Sequence, residues 1–228
     1  MLGVAVALGA AGCGDGMPSP QAEGEVAGPV TKPRVAAFAR EVQLGKSDLP
    51  GATVLPPEQD GGEELGKQFA ECTGSGPDVP SVATVAGSTF VYGEGDERAA
   101  FSSEVGAVPT PYEAKAVMTL LASQRGFHCL EQVVRNSFRT SAEGRARDLS
   151  ISRLSTPLPP TPASFGIRIG ATLVEGDKET PVFVDDIGFA SGPTSISLTA
   201  IGSPTPVNQI VERGLTGLLY SRALSTGF

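Results

Sequence analysis

Tryptophan is absent from this sequence and histidine occurs once, as His128. One imidazole does not make a zinc site, which usually takes several His or Cys ligands. Nor does it complete a Ser-His-Asp hydrolase, because no G-x-S-x-G elbow is there to expose a serine. Only 3 tyrosines accompany the missing tryptophan, which counts against an aromatic sugar-binding platform. Positive charge is also scarce: 17 Lys and Arg stand against 25 Asp and Glu, a net charge of −8. Without a basic stripe to neutralise phosphates, nucleic acid is excluded as a partner. Electrostatic docking on anionic lipid headgroups is disfavoured for the same reason. No run of apolar residues reaches the roughly 20 that a membrane-spanning helix needs.

What is present starts at the N-terminus. Leu2 to Ala11 is an apolar and small-residue run of about ten residues, the length of a signal-peptide h-region. It ends in Ala10-Ala11-Gly12-Cys13, small residues before a cysteine, similar to the lipobox of bacterial lipoproteins. Position −3 is Ala10 where such boxes usually carry Leu, and the basic n-region is missing, which points to a start further upstream. The expectation is a signal peptide over residues 1–12 and a lipid, palmitate included, on Cys13. The alternative is a free N-terminal tail with a chance cysteine. Residues 13–34 are rich in Gly, Pro, Ala and Glu, too poor in bulky apolar groups to offset their ordering entropy, and read as a linker. Residues 35–228 then form a single extracytoplasmic domain.

Three cysteines fit one lipid site and one disulfide. With Cys13 lipidated, Cys72 and Cys129 remain as a pair for an oxidising compartment. The loop they close, about 57 residues, contributes roughly 4 kcal/mol in the chain-entropy account. The competing reading is a reactive thiol at Cys129 with His128 as its activator. Adjacent side chains rarely point the right way, and no Asn or Asp partner is evident.

A hydrophobic content of 40% supplies a core, and 29 Gly with 19 Pro indicate a turn-rich, strand-rich fold. Val35 to Leu44 reads as a strand, Ser47 to Gly51 as a turn, and Glu63 to Glu71 as a short helix burying Leu65, Phe69 and Cys72. Ser81 to Tyr92 and Ala99 to Val108 read as a hairpin about Gly93-Glu94-Gly95-Asp96. That G-x-G is weak as a phosphate loop, since no helix follows and no basic residue backs it. A helix begins at Pro111 with the stripe Ala114, Val117, Met118 and Leu121; Gly126 breaks it, and Cys129 to Phe138 continues helically. Leu149 and Ile151 alternate with polar residues. Phe165 to Leu173, Val182 to Phe189 and Ile196 to Ala200 alternate as a meander. A last helix runs from Pro206 to about Ala223, with Val207, Ile210, Val211, Leu215, Leu218 and Leu219 on one face and Arg213 and Arg222 off it. The fold expected is α+β: an antiparallel sheet, hairpin plus C-terminal meander, flanked by helices.

Asp185-Asp186 is the best acidic pair. Neighbours in a strand point to opposite faces, so the two do not share a metal; one is expected in solvent, the other buried and hydrogen-bonded. No catalytic, metal or cofactor site is expected.

The order of elements resembles a group of actinobacterial lipoproteins and sensor domains, the PknH-type extracellular domains and LpqN-type lipoproteins. The resemblance rests on the run to Cys13, Ser47-Asp48-Leu49-Pro50-Gly51, Glu71-Cys72-Thr73-Gly74 and Ser102-Ser103-Glu104-Val105. Tyr112 to Leu121 leading to His128-Cys129-Leu130, Pro181 to Phe189, Gly192 and the final helix complete it. It implies a PsbP-like fold and a ligand-sensing or interaction module rather than an enzyme. The expected function is thus a lipid-anchored binding or sensing domain on the extracytoplasmic face of the membrane. Its partner is an apolar small molecule or an envelope protein. The alternative is a structural envelope lipoprotein without a pocket.

Overall fold

Val35, Phe38, Ala39 and Val42 recur at helical spacing, and they form the buried stripe of helix α1 (Lys32–Val42). The strand expected over Val35 to Leu44 is therefore a helix. Pro33 lies in its first turn, where a missing N–H is tolerated, and the helix opens inside the stretch expected to be linker. The computed structural model describes residues 28–57, 62–74, 81–95, 97–141, 146–154, 161 and 163–228. The leader, Cys13 and the linker up to residue 27 lie outside them.

After α1 come a short edge strand β1 (Thr53–Leu55), which the residue pattern does not announce, and helix α2 (Gly62–Thr73). The strand expected over Ser81 to Tyr92 is two, β2 (Ala83–Ala86) and β3 (Thr89–Glu94), both paired with β4 (Glu97–Ala107). Pairing passes from Ala86–Glu104 to Phe90–Phe101, so one extra residue is accommodated at Gly87-Ser88, as in a bulge.

Helix α3 (Pro111–Ala122) opens with a capping box: Thr110 Oγ1 accepts from the Glu113 amide, and the Thr110 amide donates to the Glu113 carboxylate. Helix α4 (Gln124–Ser141) follows after Ser123, so the break is Ser123 and not Gly126. Gly126 lies in the first turn of α4, where a Cβ would stand 1.9 Å from the Leu120 carbonyl oxygen; glycine lets the two helices meet.

The meander is β5 (Ala146–Arg153), β6 (Ser164–Glu175), β7 (Lys178–Ser191) and β8 (Thr194–Ser203). The final helix, α5 (Gln209–Thr226), starts three residues later than expected, capped by the Asn208 side chain accepting from the Ile210 amide at 2.8 Å.

All eight strands share one antiparallel sheet in the order β1-β3-β4-β8-β7-β6-β5, with β2 also on β4. The β4–β8 ladder, from Arg98–Ser203 to Ala107–Thr194, fuses hairpin and meander. Helices pack on both faces, giving the expected α+β fold. On one face α1 and α5 bury Phe38, Phe101, Val105, Phe189, Ile196, Leu198 and Leu219. On the other, α2, α3 and α4 bury Phe69, Met118, Leu130, Phe165, Ile167 and Ile169.

The apolar face of α5 is narrower than its sequence implies. Leu215 and Leu219 are buried with Ala223, but Ile210 is 74% exposed and Val211 42%. Glu212 and Thr216 occupy the buried face beside the leucines.

Candidate functional site

Strand β7 carries adjacent carboxylates to opposite faces of the sheet. Asp185 pairs in register with Arg168 and Ala200, on the side of α5. Asp186 pairs with Ile167 and Thr199, on the side of α3. Both are buried, at 1% and 6% exposure, so the expectation that one of them faces solvent is corrected. The fused sheet places β7 between β6 and β8 and beneath a helix on each face, which leaves neither residue an outer side.

On the α5 side, Arg168 Nε and Nη2 donate to Asp185 Oδ1 and Oδ2 at 2.6 and 2.5 Å, a two-pronged charge-assisted pair. Glu212 of α5, with no exposed surface, closes the cluster, its Oε1 3.9 Å from Arg168 Nη2. Burial, reinforced by hydrogen bonding to Asp185 and its charge, pushes the Glu212 carboxyl up to about 8. Thr216 Oγ1, one turn on, donates to the Glu212 carbonyl at 2.8 Å. This cluster fastens α5 to the sheet and has no opening to solvent at Glu212.

The α3 side differs. In one row of register lie Ser102, Thr199 and Asp186; in the next lie Glu104, Ser197 and Gly188. Ser102, Glu104, Ser197 and Thr199 are half-buried, so the rows form a polar strip across β4, β8 and β7 with Asp186 buried at one end. Asp186 Oδ1 has no hydrogen-bond partner among the described residues. Burial, helped by the charge of Glu104, pushes Asp186 up to about 7, and burial alone raises Glu104. Gly188 lets the Phe165 ring lie over β7, where a Cβ would come within 2.3 Å of it.

Cys72 and Cys129 are joined by a disulfide, Cα to Cα 5.6 Å, which ties α2 to α4. Cys129 is therefore no nucleophile, and the pairing with His128 does not form: His128 is exposed and its Nε2 lies 3.1 Å from the Gln132 amide nitrogen. A concavity of about 430 Å³ beside the disulfide is lined by Gln68, Glu71, Cys72, Gln132, Val133 and Asn136. Its lining mixes the polar side chains of Gln68, Glu71, Gln132 and Asn136 with apolar surface, and it is not the wholly apolar pocket that an apolar ligand favours. Among the described residues no group of three or more His, Cys, Asp and Glu side chains is placed to hold a metal, and no helix is long and apolar enough to cross a membrane.

Sequence reasoning named Asp185 and Asp186 but missed Arg168, Glu212 and Glu104 as their neighbours. Glu212 carried a signal: it stands among the apolar positions of α5, between Val211 and Leu215.

No family model and no curated protein matches the chain. Among solved structures, the crystal structure of the extracellular domain of PknH from Mycobacterium tuberculosis is similar. Its TM-score is 0.39 at 12% identity, over 87% of this chain and 97% of that one.

Proposed function

We propose that the chain is an extracytoplasmic binding or sensing domain held at the membrane by a lipid on Cys13, in the manner of LpqN-type lipoproteins. The observation that carries the reading is Asp186, a buried carboxyl with an oxygen that finds no partner among the described residues. An unpaired buried carboxyl costs stability, and binding sites are where such groups concentrate. The disulfide supports the location, since such bonds persist in oxidising compartments. The apolar run ending at Cys13 supports the anchor. The second reading, a structural or protein-interaction envelope protein, is favoured by the two apolar cores that pack both faces of the sheet.

Native mass spectrometry of the protein purified from its own membrane tests the proposal. A chain beginning at Cys13 with acyl mass added, and a further mass released on unfolding, is the expected result. An unacylated chain with nothing bound, in membranes where Cys13→Ser fractionates like the wild type, overturns it.

A further inference from the structure

We propose that the polar strip across β4, β8 and β7 on the α3 face binds a protonated amine. Asp186 and Glu104 are its counter-charges, and the hydroxyls of Ser102, Ser197 and Thr199 are further acceptors. The inference rests on the reading of the chain as a binding module and names the ligand class for that site.

Two observations point there independently. The first is the lattice of side chains. β8 lies between the two acidic strands and presents Ser197 and Thr199 toward the same face, so two carboxyls frame a floor of hydroxyls. The second is Asp186 itself, 94% buried by its 6% exposure, with Oδ1 lacking a partner among the described residues on the face where Glu104 is half-buried.

Among the described residues, the cations carried by the strands of the sheet on and beside this site are placed elsewhere. Arg98 stands on the Glu104 face but six residues along β4, about 20 Å away at ~3.4 Å per residue. Lys178 is at the far end of β7, eight residues from Asp186, about 27 Å by the same spacing. Arg153 donates to the Ala122 and Ser123 carbonyls and lies over the Phe127 ring. Arg168 is on the other face, held by Asp185.

The spacing selects the kind of cation. Glu104 and Asp186 are two strands and two residues apart, about 12 Å between Cα atoms at ~4.8 Å per strand and ~3.4 Å per residue. A bare metal ion needs several oxygens at about 2.0–2.6 Å, and among the described residues no group of three or more His, Cys, Asp and Glu side chains is placed to supply them. An ammonium group carries three donors and no acceptor, and the polar side chains in these two rows of register are carboxyls and hydroxyls. The Phe165 ring over Gly188 gives the alkyl part of such a ligand an apolar wall one strand from Ser197.

Calorimetric titration of the full chain in detergent micelles with propylamine and 1,4-diaminobutane tests the site. Tetramethylammonium, which has no N–H donor, and calcium chloride serve as comparisons. Saturable binding of the amines is expected, weakened at least tenfold by both Asp186→Asn and Glu104→Gln, with neither comparison cation binding. If Asp186→Asn does not fold, half-buried Glu104→Gln and Ser197→Val decide. No saturable amine binding, an affinity unchanged by the variants, or calcium binding in place of the amines overturns the proposal. A co-purified ligand together with no amine binding at the polar strip overturns the site alone and leaves the binding module standing. Neither a co-purified ligand nor amine binding overturns both.

Discussion

Arg222 and Asp48 form a two-pronged ion pair that closes the chain on itself, Nη1 to Oδ2 at 2.8 Å and Nη2 to Oδ1 at 2.7 Å across 174 positions. Arg222 Nη1 also donates to the Gln43 carbonyl just past α1, at 3.0 Å. The pair binds α5 to the turn that follows α1, and hydrogen bonding to Arg222 holds the Asp48 carboxyl below its ordinary value. Charge-assisted hydrogen bonds of this kind contribute about 1.5–3 kcal/mol. Arg222→Ala is therefore expected to lower the urea midpoint clearly at pH 7. The difference from wild type should shrink under acid, because a depressed carboxyl loses its contribution as pH falls through the folded pKa. Equilibrium unfolding at pH 7 and pH 3 checks both parts.

Leu215 and Leu219 are the leucines of α5 that the core takes in, while Arg213 is exposed. Large-to-small changes in packed cores cost about 2–5 kcal/mol. Leu219→Ala should thus lower the midpoint strongly and Leu215→Ala somewhat less, whereas Arg213→Ala should move it by no more than about 0.5 kcal/mol. Ile210→Ala, despite its place in the sequence pattern, should behave like Arg213→Ala because Ile210 is exposed. Chemical denaturation of the four variants checks the ranking.

Two buried carboxyls make the fold sensitive to alkali. Glu212 rises from 4.5 to about 8 and Asp186 from 3.8 to about 7 on folding. The native state therefore holds protons that the unfolded chain releases between these values. Their contribution is full below about pH 4 and is lost as pH rises through about 7 and 8. Stability should fall over that window, and Glu212→Gln, which keeps the side chain's size without titrating, should flatten the upper part of the slope. Thermal melts from pH 5 to about pH 9 check it; an unchanged slope in Glu212→Gln would falsify the assignment.

Among the helices that line the α3 side, α2 packs chiefly on α4 and is tied to it by the Cys72–Cys129 bond. Removing a native disulfide from a small secreted domain typically costs about 2–5 kcal/mol. The double variant Cys72→Ala with Cys129→Ala should lose stability in that range, and its fastest gain in amide hydrogen exchange should fall within Gly62–Thr73. Exchange that rises evenly over the domain would show that α2 is held by its apolar contacts instead.

The sequence by itself determined the class and order of most elements, because each depends on a local pattern. Strict alternation over Phe165 to Leu173 leaves no competing period, and the stripe of α3 from Ala114 to Leu121 is held by its own capping box. Cys72 and Cys129 were readable as a pair by elimination, once Cys13 was assigned to the lipid. Where two local patterns compete, tertiary contact chose. Val35 to Leu44 has β-branched and apolar residues enough for a strand, yet its 3.6-residue stripe packs against α5 and the sheet, and the chain is helical there. The candidate site lay beyond any local pattern. Asp185 and Asp186 point to opposite faces by strand geometry alone, which is legible. That both faces are covered follows from the β4–β8 ladder and from α5 and α3 docking on either side. Arg168, Glu212 and Glu104 come to these carboxylates from three other elements, through register and helix placement that sequence spacing does not encode. Burial of those charges is a property of the assembled layers, so the protonation they impose on Asp186 and Glu212 exists only once the sheet is closed.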